Sequence, residues 1–348
     1  MRVNRVARQH HIDGLRGLAV LLMVMVHIAA TWNPYSTAQT GVLAYTVSGL
    51  GGLAAPLFVT VFGWSAALRP LSFPQRIVRA SVLFGLQIIV NLSAPHLFEP
   101  FTPGVLSLFA LLMLFQPVWL APLDSKHRSS ATMAFLLVTV VIVWGSPSWM
   151  GSTDWAQRVA VGTPTDLALH LLVSGTYPLF PWLFFAMFGG YLQHSTVEHG
   201  NFVLLGTTGV GVSVSAVLLG ASWQTATPWA LPSGEAYLTF FPANGPFLLA
   251  ALAGVSILWS VCLRYKVTAA SLAPVGRMSL TVYVGHFLPL AYVHMWDSRW
   301  GWSLPFSIMA ALTYTVAWGL LALQWFRHCP TWTLERIMRR LESVVVRP

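Results

Sequence analysis

HIDGLRGLAVLLMVMVHIAA, residues 11–30, is the stretch that decides what kind of molecule this is. Ten consecutive apolar residues separate Arg16 from His27. With its flanks the run approaches the about 20 residues that a helix needs to cross a hydrocarbon layer. It is too long for the apolar core of a signal peptide, ends without a small-x-small site and contains a histidine. It therefore reads as a first membrane span rather than a cleaved leader.

Working outward, comparable runs recur along the whole chain. Spans are expected near 15–32, 48–68, 79–95, 104–122, 131–149, 167–192, 201–220, 240–262, 275–296 and 303–326, about ten in all. The sixth contains Pro178 and Pro181, which predicts a kink or a split. Composition agrees: of 348 residues 56% are hydrophobic and only 8% charged, whereas soluble domains carry about 25% charged residues. So few charges cannot cover a water-soluble body of this size. The expected fold is all-α, a polytopic bundle of about ten transmembrane helices spanning residues 1–330, in the inner or plasma membrane. A tail over 331–348 places Leu334, Ile337, Met338, Leu341 and Val345 on one helical face with arginines opposite. That pattern predicts a helix on the cytoplasmic membrane surface.

The net charge of +9 does not form a nucleic-acid footprint, because the basic residues are dispersed between apolar runs. Arg2, Arg5, Arg8 and Arg16 precede the first span, and Arg69, Arg76 and Arg79 follow the second. Lys126 and Arg128 follow the fourth, Arg264, Lys266 and Arg277 the eighth, and Arg327, Arg336, Arg339, Arg340 and Arg347 the tenth. The alternate loops hold only Arg158 and Arg299. This asymmetry predicts that both termini are cytoplasmic. Cys262 and Cys329 lack metal-ligand spacing and read as free thiols, and no metal is expected.

Ionisable groups within spans are costly and so mark candidate sites. Arg16 and His27 are eleven positions apart, which on a helix is about 20° past three turns and about 16 Å along the axis. One face would carry a cation suited to phosphate and a neutral imidazole suited to proton abstraction. The plainer reading is a rim anchor and a structural histidine. Asp13, three residues before Arg16, reads as a helix-start residue that aims the guanidinium. In GRMSLTVYVGHFLPL (276–290), Tyr283 and His286 lie within the predicted ninth span, as a functional pair or as packed polar groups. Asp166 and His170 are spaced i,i+4, so the carboxylate could orient an imidazole or simply start a helix. Gln87 and Asn91, and the glycine pairs 51–52 and 189–190, read as helix–helix contacts. Trp149, Trp155, Trp223, Trp229 and Tyr237 crowd the outer loops, as an interfacial belt or as faces for sugars.

These motifs resemble the transmembrane acyltransferase superfamily. The Arg–ten residues–His spacing of Arg16 and His27 resembles the acyltransferase-3 signature. AAPLFVTVFGWSAAL (54–68), followed by the basic PQRIVRAS (74–81), is similar to that family's second helix and loop. YPLFPWLFFAMFGGYL (177–192) resembles the heparan-alpha-glucosaminide N-acetyltransferase branch. RHCPTWTLERIMRRL (327–341) has a fainter likeness to the DUF418 proteins. In the heparan-acetyltransferase branch the catalytic histidine follows the first helix, but loop 33–46 has none here, which favours His27.

The resemblance implies an acyltransferase that moves an acyl group, acetyl above all, from cytoplasmic acyl-CoA to a hydroxyl or amine of an extracytoplasmic glycan or similar cell-envelope acceptor. It implies His27 as base or nucleophile; His286 and, from its spacing to His170, Asp166 are further catalytic candidates. Arg16, Arg69, Arg76, Arg79 and Tyr283 would line the donor's path. The implied partners are membrane lipid, acyl-CoA and a polar acceptor. Two other classes fit the same polar face. One is a transporter or flippase of an acyl or lipid-linked species, which would do no covalent chemistry. The other is a non-catalytic assembly protein, for which His27 would be dispensable.

Overall fold

The computed structural model describes residues 9–32 and 42–345, so Arg2, Arg5, Arg8, Arg347 and most of loop 33–46 lie outside the described residues. The chain runs through α1 (His10–Trp32), α2 (Val42–Leu68), α3 (Phe73–Ser93), α4 (Val105–Leu114), α5 (Gln116–Asp124) and α6 (Arg128–Gly145). Short α7 (Trp155–Val159) and α8 (Pro164–Leu169) lead to α9 (Leu179–His194) and the long α10 (Val197–Thr225). Two short parallel strands, β1 (Ala230–Ser233) and β2 (Leu238–Phe241), lie in the following loop. The chain closes with α11 (Gly245–Arg264), α12 (Lys266–Arg277), α13 (Ser279–Gly285), α14 (Leu290–Trp300), α15 (Leu304–His328) and α16 (Leu334–Val345).

Among the described residues eight helical segments are long and apolar enough to cross a membrane, and nine if α4 and α5, bent by 63°, count as one. The protein is thus a polytopic membrane bundle. The shortfall from ten lies at 275–296. No single helix covers that stretch: α12 ends at Arg277, α13 ends at Gly285, and residues 286–289 form a turn before α14. Pro289 is the cause, since it lacks an N–H and disfavours helix at the residue before it. Pro117 acts similarly at the α4–α5 bend. The predicted break in the sixth span is present: α8 passes into a π turn at His170–Ser174, and α9 restarts after Pro178.

The bundle has an inner and an outer ring. In α1 and α2 67% and 72% of the membrane window is buried, against 11% in α10, whose Phe202, Leu205, Val217 and Trp223 face outward. Lipid tails are as apolar as these side chains, so close packing, not water exclusion, must hold the inner helices together. Glycine supplies it. A Cβ on Gly14 or Gly17 would come within 2.4 Å of the Ala269 or Leu272 carbonyl on α12, and one on Gly276 within 1.8 Å of the Asp13 carbonyl on α1. Gly63 and Gly189 do the same for α2 and α9, at 2.1 and 1.9 Å from the opposing carbonyls.

Arg158 is the one buried arginine among the described residues. Its guanidinium donates to the carbonyls of Met150 (2.7 Å), Ser152 (2.9 Å), Ser174 (2.9 Å) and Gly175 (2.6 Å). Burial lowers it to about 10, so it stays charged near neutrality. It therefore ties loop 146–154 to the end of the π turn. Arg158→Ala is expected to leave up to four carbonyls unpaired, at about 1–3 kcal/mol for each that water cannot reach. Its thermal unfolding should fall by several degrees, and Arg158→Lys should not restore it, because an ammonium cannot span the fork. A melting temperature equal to wild type would contradict this role.

The tail helix α16 is seated by its acids. Glu342 accepts from Arg79 at 2.7 and 2.9 Å and from the Gln75 amide on α3. Glu335 accepts from the Leu280 and Thr281 amides (2.7 and 3.3 Å) and from the Thr281 hydroxyl (2.6 Å) at the start of α13. Leu334 and Met338 pack on the bundle, while Ile337, Leu341 and Val345 remain exposed.

Candidate active site

α1 is unbroken from Arg16 to His27, so the two lie about 16 Å apart along its axis. At one end, Arg16 donates to the Ser65 hydroxyl of α2 (2.9 Å) and lies 3.5 Å from the Asp13 carboxylate. The other Asp13 oxygen accepts from Arg277 at 3.2 Å. One buried carboxylate thus joins two guanidiniums from α1 and α12. Arg69 follows Ser65 by one turn of α2 and is exposed. Arg76 and Arg79 are committed elsewhere: Arg76 donates to the Leu114 carbonyl (3.0 Å) and lies over the Phe73 ring, while Arg79 holds Glu342.

At the other end, His27 meets His286. The Pro289 break leaves His286 at the C-terminal end of α13, fully buried and facing α1. His27 Nδ1 lies 2.9 Å from His286 Nε2. Ring planes differ by 10° with centroids 5.1 Å apart, the nearly coplanar, side-by-side arrangement of a direct N–H···N bond. The proton positions follow from the outermost partner. His286 Nδ1 is 3.1 Å from the Val282 carbonyl. A carbonyl only accepts, so Nδ1 of His286 carries the proton, and its Nε2, in the neutral ring, accepts. His27 must therefore donate through Nδ1. Its Nε2 is left as a bare lone pair, with no hydrogen bond among the described residues. The Tyr314 hydroxyl fixes the same turn by donating to the His286 carbonyl at 2.6 Å. Tyr283 and Phe287 enclose the pair, with ring centroids 6.0 and 4.6 Å from His27.

Of the residues singled out from sequence, the structure brings His27, His286 and Tyr283 together. Arg16 stands at the far end of the same helix. Tyr283 belongs with the imidazoles and not with the arginines. Asp166 does not reach the pair. Its carboxylate accepts from the Thr163 amide (2.9 Å) and its amide donates to the Thr163 hydroxyl (3.1 Å), a capping box at the start of α8. It makes no hydrogen bond to His170, whose buried Nδ1 has no partner among the described residues. Sequence reading missed Ser65, Tyr314, Thr31, His96 and His294. The last two had a signal, being histidines at span ends. On a continuous helix, however, His294 would lie about 80° round from His286, so periodicity cannot pair them.

A helix-borne imidazole with a fixed free lone pair, set in an aromatic box and connected by one continuous helix to a cluster of arginines, is equipped to abstract a proton or to attack a carbonyl. Comparison with curated protein sequences returns no match. Comparison with protein families matches residues 9–322 to a family described as an acyltransferase domain. That is most of the chain, and the protein belongs to this acyltransferase-3 family of polytopic membrane acyltransferases.

Proposed function

We propose that the acyl group, acetyl in the first instance, comes from acyl-CoA bound at the arginine end, taken as cytoplasmic, and passes to a hydroxyl or amine of a glycan-like acceptor at the opposite side. The observation that carries this reading is the bare Nε2 of His27, held in one tautomer by His286. The acceptor O–H or N–H gives its proton to Nε2 as its heteroatom attacks the thioester carbonyl. The C–S bond then breaks, and the leaving thiolate recovers the proton from His27, so ester or amide and free CoA are the products. His286 stabilises the transient imidazolium by accepting from its Nδ1.

Arg16 supplies the fork for a CoA phosphate, with Arg69 beside it, and the pantetheine arm covers the distance along α1. Both termini are then cytoplasmic, in line with the basic loops. Arg76 and Arg79 contribute to phosphate binding only if Leu114 and Glu342 release them. Arg16→Ala is expected to raise the KM for acyl-CoA by about 10–100-fold with a smaller change in kcat, since a phosphate contact far from the reacting carbon binds ground and transition states alike. A kcat loss at unchanged KM would contradict that role.

The test is acceptor-dependent thiol release. Protein in lipid vesicles is given acetyl-CoA with and without a cell-envelope glycan extract, and free CoA is followed. Release that requires the extract, with label recovered on glycan, is the expected result. Movement of label across the vesicle without any CoA release would overturn the reading in favour of a transporter.

A further inference from the structure

Acyl transfer at His27 makes no use of a second imidazole pair one helical turn further out. The Thr31 hydroxyl donates to the His27 carbonyl at 2.8 Å, which uses its only proton. His96 Nε2 lies 3.3 Å from that same oxygen. With the hydroxyl proton committed, His96 must donate through Nε2. His294 Nδ1 lies 3.2 Å from the Thr31 carbonyl, an acceptor only, and so donates through Nδ1. Both rings thus spend their single proton on Thr31. Among the described residues, His96 Nδ1 and His294 Nε2 remain as bare lone pairs.

The rings are parallel within 7° and stacked 4.3 Å apart. His96 Nδ1 is buried with no partner. An orphaned buried acceptor is costly and asks for an explanation. Burial, and secondarily His294, hold His96 down at about 4, so it remains a neutral acceptor near neutral pH. Aromatic rings also lead away from the reacting centre to Phe98, two residues from His96 on the same segment. Phe287 lies 4.6 Å from His27 and 6.1 Å from Phe98, which lies 6.2 Å from Trp155, itself 5.0 Å from Phe241.

We infer that His96 and His294, with Phe98 and Trp155, form the acceptor subsite, and that its ligand is a polyhydroxylated ring such as a glycosyl unit. Two bare imidazole nitrogens accept from ring hydroxyls, and the aromatic side chains receive the ring's C–H face. Anionic groups gain nothing there, since neither imidazole has a free donor. The inference deepens the acyl-transfer reading and rests on it for the identity of the reaction, but binding tests the subsite by itself.

The probes are methyl glucoside, methyl mannoside and methyl N-acetylglucosaminide, with binding to the full protein in lipid nanodiscs read by saturation-transfer NMR. At least one should bind to wild type. The double variant His96→Phe/His294→Phe should weaken that binding at least tenfold while keeping its thermal unfolding and acyl-CoA binding. Should the double variant not fold, Trp155→Ala, at a half-exposed position, should weaken it severalfold. No binding of any probe to wild type, or unchanged binding to a folded double variant, would overturn the subsite. Sugar binding without any CoA release in the vesicle assay would leave the subsite standing and remove the acyl-transfer reading instead.

Discussion

His27→Ala is expected to lower acyl transfer by about 10²–10⁴-fold, the range for losing a positioned general base. The substitution removes two things at once. It deletes the Nε2 lone pair, and it leaves His286 Nε2 buried without the donor 2.9 Å away. The second effect costs stability, about 1–3 kcal/mol, and could be mistaken for the first. His27→Asn separates them, because its amide can still donate to His286 but offers no base. It should match alanine in lost rate and exceed it in melting temperature. His286→Phe should reduce kcat less than either, with KM for both substrates little changed, since it frees the tautomer of His27 without deleting the lone pair. A His27→Asn enzyme near wild-type rate would remove His27 from the chemistry.

Gly276→Val is expected to abolish folded protein in the membrane. A Cβ at this position would lie 1.8 Å from the Asp13 carbonyl and 2.8 Å from the Gly17 amide nitrogen. Both are backbone atoms of an unbroken helix, so no side chain can turn aside; α12 would have to move away from α1. The movement would cost more than this contact. Asp13 and Arg277 flank it, so the ion pair linking the two helices would separate, and Arg16 would lose the carboxylate that aims it. Val is also stiff at χ1, which adds to the crowding. Gly220→Val, at a position with open space around the would-be Cβ, is the control and should accumulate normally. Equal membrane yields of the two variants, with equal melting temperatures, would show that the close approach is not what holds α1 to α12.

How much of this was legible follows from what each feature depends on. The spans were readable because hydrocarbon imposes a length and a composition. The break at 286–289 was signalled by Pro289, yet the flanking apolar residues carried the expectation of a continuous span through it. Arg16 and His27 were legible because both lie on one regular helix, where spacing gives position. Asp166 read as an orienting carboxylate or as a helix start, and an i,i+4 spacing from His170 does not reveal that its carboxylate is taken by Thr163. His27 and His286 were both candidates, but their pairing could not be read. His286 arrives from 259 positions away, and its orientation depends on a turn. His96 and His294 meet only because an irregular segment and a restarted helix both pass Thr31. Arg158 counted as a stray charge in the loop pattern, whereas its four carbonyl partners come from segments with no common periodicity.

The most direct test is the protonation pattern of the two paired imidazoles, which needs no knowledge of donor or acceptor. Solid-state nitrogen NMR on ring-labelled protein in lipid bilayers, with His27→Asn and His286→Phe spectra for assignment, distinguishes protonated from bare ring nitrogens. Both rings should carry their proton on Nδ1, with a through-bond coupling from His27 Nδ1–H to His286 Nε2 and an unprotonated His27 Nε2. A proton on His27 Nε2 at neutral pH would contradict this pattern, because the nitrogen left to face the acceptor would then be a donor and no longer a base.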